Sequence, residues 1–149
     1  MIKTKALMSL LSQSLDSSIT SSILLTSSGQ LLSQASKSQK NARIHAAFAA
    51  QIWSLYEKIG LDGDIGSLTG ENKKIYGCNW LGIECLTGNL LILCIRFPHP
   101  EKSLHVSVLS EPILLCLVGN ESSKLGFMHM KAKSIEKYLL NELEEIRDI

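Results

Sequence analysis

The stretch Lys40–Gly60, KNARIHAAFAAQIWSLYEKIG, decides how the rest of the chain is read. Ile44, Phe48, Ile52, Leu55 and Ile59 recur at steps of three and four, the spacing of one helical face. Asn41 has the side chain of an N-cap, and Gly60 stands where a left-handed residue ends a helix. The predicted helix runs about 28 Å at roughly 1.5 Å per residue. Its apolar character is too wide for a single sheet: Ala42, Ala46, Ala47, Ala49, Ala50 and Trp53 extend it around the cylinder. Alanines shorten the distance between packed backbones. The helix is therefore expected to lie on a sheet and still offer a second, small-residue surface to another chain.

Outward from this helix, the flanking segments alternate as strands do. Thr4 caps a first short helix with Leu7, Leu10 and Leu11 on one side, ending near Leu15. From Ile19 a strand is expected, turned at Ser28-Gly29 into a second strand over Gln30–Ser36, with serines forming a polar outer face. After the central helix, Leu61–Lys74 reads as a glycine-bearing link. Ile75–Leu86 is the expected third strand, loosened by Gly77 and Gly82, and Thr87-Gly88-Asn89 turns it into a fourth over Leu90–Phe97. Pro98–Glu111 is either a hairpin extension or a loop. Pro112 precedes a fifth strand, Ile113–Val118, and a last helix carries Met128, Ala132, Ile135, Leu139, Leu143 and Ile146 along one stripe.

The order is α-β-β-α-β-β-β-α, an α+β domain whose hairpins favour an antiparallel sheet with helices on both faces. If the third strand is an edge, Ile75, Trp80, Leu81 and Ile83 need something to pair with, since only Lys73 and Lys74 guard its start. A wide apolar helix beside an unguarded edge predicts an obligate dimer.

Composition narrows the function. At 149 residues the chain is one domain, and 45% hydrophobic with 19% charged residues is globular. Fifteen basic against fourteen acidic residues leave a formal charge of +1, with no stripe for nucleic acid or a membrane surface. The longest apolar runs, Leu90–Ile95 and Ile113–Val118, fall far short of a bilayer span, and the start has no signal-peptide form. Direct membrane insertion is not expected; a partner would hold the chain at any membrane. Cys78, Cys85, Cys94 and Cys116 lack paired spacing and read as core thiols of a reducing compartment.

The chemistry-bearing motifs are missing. A calcium loop beginning at Asp62 would need a Glu at its twelfth position, where Lys73 stands. Gly119-Asn-Glu-Ser-Ser-Lys124 lacks the second glycine of a phosphate cradle. His45, His99, His105 and His129 share no ligand spacing, and Glu142, Glu144 and Glu145 read as a solvated helix face. No cofactor, metal or catalytic residue is expected, and no enzyme activity.

With those residues in view, the chain resembles the Roadblock (dynein light-chain) family, and within it the subunits of Ragulator-type late endosomal and lysosomal adaptors. The resemblance rests on MIKTKALMSLLSQ, TSSILLTSSGQLLS, NARIHAAFAAQIWSLYEKIG, ECLTGNLLILCI, PILLCLVG and LGFMHMKAKSIEKYL, in the family's order. Its most specific pieces are AAQIWSLY and the G-F-x-x-x-K-A-K run at Gly126–Lys133. Leu61–Lys74 departs from the pattern, and 98–111 resembles an insertion into a single Roadblock-type domain spanning 1–149.

This resemblance implies a Roadblock/profilin-like three-layer α/β/α sandwich: a five-stranded antiparallel sheet with the central helix on one face and the two terminal helices on the other. It implies pairing through the central helix and third-strand edge, with Arg43, Ala46, Ala47, Ala50, Trp53, Ser54, Ile75, Gly77 and Asn79 as dimer-interface candidates. It implies as partners a sister Roadblock subunit of the Ragulator third-subunit type, a lipidated membrane-anchoring subunit and Rag-type small GTPases. The implied setting is the cytoplasmic face of the late endosome, lysosome or vacuole, in amino-acid signalling to the target-of-rapamycin complex. Two alternatives stay open: a dynein-type or other GTPase-regulating Roadblock protein, and a profilin- or PAS-like small-molecule sensor.

Overall fold

The computed structural model of the chain describes residues 4–37, 42–61, 79–96 and 112–147. In order these form α1 (Thr4–Ser12), β1 (Ile19–Thr26), β2 (Leu31–Ser36), α2 (Ala42–Leu61), β3 (Trp80–Cys85), β4 (Gly88–Ile95), β5 (Ile113–Gly119) and α3 (Leu125–Arg147). The expected element order is present. The link at 62–74, the first residues assigned to the third strand (Ile75 and Gly77 among them) and the segment 98–111 lie outside the described residues.

Five strands form one antiparallel sheet in the order β2-β1-β5-β4-β3. Two hairpins, β1–β2 and β3–β4, are local, and β5 enters last between them. Its seven residues pair with β1 on one side (Ile23 opposite Cys116) and with β4 on the other (Ile92 opposite Cys116). Both turns use glycine. Gly29 has φ 101°, and Gly88 has φ 154° with its α-carbon so close to β5 that a Cβ would sit 2.1 Å from the Gly119 carbonyl oxygen.

Alternation along the strands builds two cores. On one face, Leu24, Leu91, Leu93, Leu115 and Leu117 meet Leu11 of α1 and Met128, Ala132, Ile135 and Leu139 of α3. On the other, Ile23, Leu25, Ile92, Cys94, Leu114 and Cys116 meet α2. The three-layer sandwich, with α2 alone on its face, is the arrangement expected. The α3 stripe is also as read from the sequence, with its four described members buried; the side chains of Leu143 and Ile146 lie outside the described residues.

The serine-rich hairpin corrects one expectation. β1 has no polar outer face, because it is an interior strand covered by helices on both sides. Ser21, Ser22 and Ser33 are buried, and the Ser21 and Ser36 hydroxyls bridge β1 to β2 at 2.8 Å.

The turn between α1 and β1 is fastened by Asp16. Its Oδ1 accepts from the Ser18 amide (2.7 Å), the Ser18 hydroxyl (2.8 Å) and the Ile19 amide (2.8 Å). Its Oδ2 accepts from Lys131 Nζ of α3 at 2.6 Å. Lys131, with these local donors, holds the Asp16 carboxyl well below the usual carboxylate range. Among the described residues, no helix is long and apolar enough to cross a membrane.

Candidate functional site

α2 binds its sheet through small residues. Ala46 (1% exposed), Ala49 and Ala50, with Trp53 (3% exposed), fill the inner stripe. A Cβ at Gly29 would stand 3.5 Å from the Ala50 methyl, so the helix passes close to the β1–β2 turn. At its far end the Trp53 indole Nε1 donates to Glu57, and Glu57 meets Arg96, just after β4, at 3.3 Å.

The rotation of α2 is the reverse of the expected one. Ile44, Phe48 and Leu55, assigned by spacing to the sheet face, point outward at 57%, 58% and 62% exposure. Ala46, Ala49 and Ala50 are enclosed instead, while Ala47 stays exposed. At about 100° per residue, Ile44, Phe48 and Leu55 fall within roughly 40° of one another and opposite Trp53. Both stripes are apolar, so periodicity alone cannot choose between them. The sheet takes the small residues because they let the backbones approach closely. Each of these side chains, a little over half exposed, forgoes about 1–2 kcal/mol of burial.

Of the interface candidates, Ala46, Ala50 and Trp53 therefore lie in the chain's own core, beyond the reach of a partner. Arg43, Ala47 and Ser54 are exposed on α2. Asn79 is half-buried at the start of β3, where its carbonyl accepts from the Cys94 amide at 2.7 Å. Ile75 and Gly77 lie outside the described residues.

β3 is an edge strand of the sheet, which meets the condition set in the sequence reading. The Asn79–Cys94 hydrogen bond fixes the ladder's alternation, so Trp80, Gly82 and Glu84 turn their backbone N–H and C=O groups away from β4. Beneath the edge, Leu81 and Ile83 stay half-buried on the α2 face, and Leu81 packs against the same cluster as Ile52. Above it, the Trp80 ring rests on His129 of α3 with centroids 4.3 Å apart. Two surfaces are thus left open among the described residues: the exposed Ile44–Phe48–Leu55 stripe of α2 and the outer edge of β3. Together they present hydrogen-bonding groups and apolar area to a partner.

No group of three potential metal ligands occurs among the described residues. Burial raises the Cys94 thiol to about 11 and the Cys116 thiol to about 12, which keeps both protonated and unreactive at neutral pH.

The sequence is 28% identical over 160 residues to an uncharacterized protein of Schizosaccharomyces pombe, covering 98% of each chain. No protein-family model matches it. Among solved structures it is similar to a Roadblock/LC7 domain from Streptomyces avermitilis (TM-score 0.62, 18% identity, 93% of this chain and 96% of that one). It is also similar to Myxococcus xanthus MglB (TM-score 0.63, 16% identity, 97% and 99%). A third structure, described as MglB with a tetrameric arrangement, matches at TM-score 0.63 and 16% identity over 95% and 90%. The chain has the Roadblock/LC7 fold.

Proposed function

We propose that this protein is a non-catalytic scaffold subunit that pairs, through α2 and the β3 edge, with a second Roadblock-fold protein. The pair holds Rag-type small GTPases within a Ragulator-like complex, kept at the lysosomal or vacuolar surface by a lipidated partner, for amino-acid signalling to the target-of-rapamycin complex. The observation that carries the pairing is the outward stripe of Ile44, Phe48 and Leu55, together with the open edge of β3 among the described residues. Such a surface needs a cover, and contiguous exposed apolar area of this kind marks association sites. The GTPase and membrane assignments rest on the sequence resemblance across the chain. The absence of chemistry-bearing motifs in the sequence favours an adaptor over an enzyme.

A second reading is a regulator of another small GTPase or of a motility system. The likeness to MglB, described in one solved structure as a gliding protein, favours it. Affinity purification from extract of the source cells, followed by mass spectrometry, separates the two. The proposal expects a second Roadblock-fold protein together with Rag-type GTPases and a lipidated subunit. Dynein subunits, or a different GTPase without the lipidated subunit, would replace it with the second reading. Recovery of the chain alone would remove both.

A further inference from the structure

The three helices are not equally secured to the sheet. α2 is fastened through Glu57 and Arg96, and α3 through Lys131 on Asp16 and the Trp80 ring on His129. α1, which lies over β2 and β1, has only packing to hold it. Leu11 is its one fully buried side chain among the described residues, with Leu7 and Leu10 half-buried beside it. No hydrogen bond or ion pair among the described residues joins residues 5–12 to the sheet or to α3; the Ser12 hydroxyl returns to the Met8 carbonyl of its own helix at 2.8 Å. A helix of 9 residues is too short to persist in water without such support.

What α1 covers works against it. Ser22 and Ser33 are buried, at 0% and 5% exposure, and neither hydroxyl has a hydrogen-bond partner among the described residues. Register and strand alternation put both on the α1 side of the sheet. Ser22 stands in one row with Ala35 and Leu117, and Ser33 in the next with Leu24 and Leu115. Covering a hydroxyl without replacing its water costs free energy, and opening α1 returns that water. The C-terminal end of the helix is tied down, by contrast. Lys131 Nζ donates to the Ser14 carbonyl at 3.1 Å and to Asp16, whose other carboxylate oxygen holds the Ser18 and Ile19 amides.

We propose that α1 is a strap that opens from its N-terminal end in the folded protein, pivoting at Gln13 and Ser14 while the Asp16 knot stays closed, and that the Ser22 and Ser33 hydroxyls set how often it opens. The edge strand β2 thereby changes its exposed surface without loss of the sheet. The device lies on the face opposite α2 and is independent of the pairing surface.

Amide hydrogen exchange of the 149-residue chain, read residue by residue, tests this. The amides of residues 8–12 are expected to exchange at least about 100-fold faster than those of β5, while the Ser18 and Ile19 amides stay with the slow set. Ser22→Ala combined with Ser33→Ala removes both unpartnered hydroxyls and should slow exchange in α1 at least about tenfold. Ser21→Ala removes a hydroxyl that Ser36 already satisfies and should not slow it. If the Ser22 and Ser33 hydroxyls stay covered when α1 moves, the double variant slows β5 and leaves α1 unchanged, which overturns the proposal. It is overturned equally by α1 amides as slow as those of β5, by Ser18 and Ile19 exchanging together with α1, or by equal slowing in the Ser21→Ala protein.

Discussion

Trp53 and Leu55 stand two residues apart on α2 and look in opposite directions, Trp53 closed against the sheet at 3% exposure and Leu55 outside at 62%. That relationship predicts different costs for similar truncations. Trp53→Ala should lower folding stability by about 3–5 kcal/mol, as large-to-small core changes do. Leu55→Ala, placed in a Phe48→Glu background where pairing is already lost, should stay within about 0.5 kcal/mol. Urea unfolding reads both, and equal costs would put α2 in the other rotation.

Asp16 should act as a pH-dependent fastener between the α1–β1 turn and α3. Its folded pKa is depressed, so its contribution is fully present above the ordinary carboxylate pKa of about 3.9 and is lost as pH falls through the lower folded value. Asp16→Ala removes the contacts to Ser18, Ile19 and Lys131 and should cost about 1 kcal/mol at pH 7, a fall in Tm of about 2–4 °C. The difference between wild type and variant should shrink steadily below pH 4. A gap that grows toward acid would contradict the assignment.

Two glycines should respond to alanine with opposite signs. Gly88 combines φ 154° with a Cβ direction blocked by the Gly119 carbonyl, so Gly88→Ala should cost about 2–4 kcal/mol. Gly126 lies in the first turn of α3 with open space around its α-carbon, so Gly126→Ala should stabilise by a few tenths to about 1 kcal/mol. Thermal melts of the two variants test both.

The thiols should separate by position. Cys85 is exposed near the tip of the β3–β4 hairpin, whereas Cys94 and Cys116 are buried with raised pKa values. Brief treatment with a maleimide at pH 7, read by peptide mass spectrometry, should modify Cys85 while leaving Cys94 and Cys116 unmodified until denaturant is added. Early labelling of Cys116 would mean that β5 is not the closed centre of the sheet.

Much of the architecture was legible because the local signals agree with one another. Ser28-Gly29 marks the first hairpin, and Met128, Ala132, Ile135 and Leu139 announce the buried stripe of the last helix. Pairing of β5 with β1 follows from no local pattern, since it joins residues such as Ile23 and Cys116 from opposite ends of the chain. The Asp16–Lys131 bridge is hidden for the same reason. The rotation of α2 was misread because Ile44, Phe48 and Leu55 obey helical spacing as well as Ala46, Ala49 and Trp53 do. Only the closeness of the helix to its sheet distinguishes them, and side-chain volume decides that closeness. The interface candidates inherited this error at Ala46, Ala50 and Trp53. The edge position of β3 was inferred conditionally from Trp80, Leu81 and Ile83, and the sheet order supplies the condition.

The central claim is that Ile44, Phe48 and Leu55 form a face this chain cannot leave uncovered, and light scattering on the 149-residue chain with and without Phe48→Glu tests it most directly. At micromolar concentration the wild type should have a mass of at least twice the 16.4 kDa of one chain, and the variant should fall to a single chain with its helical circular dichroism intact. A wild type that is a stable, soluble monomer, or a variant with the wild-type mass, would contradict the account.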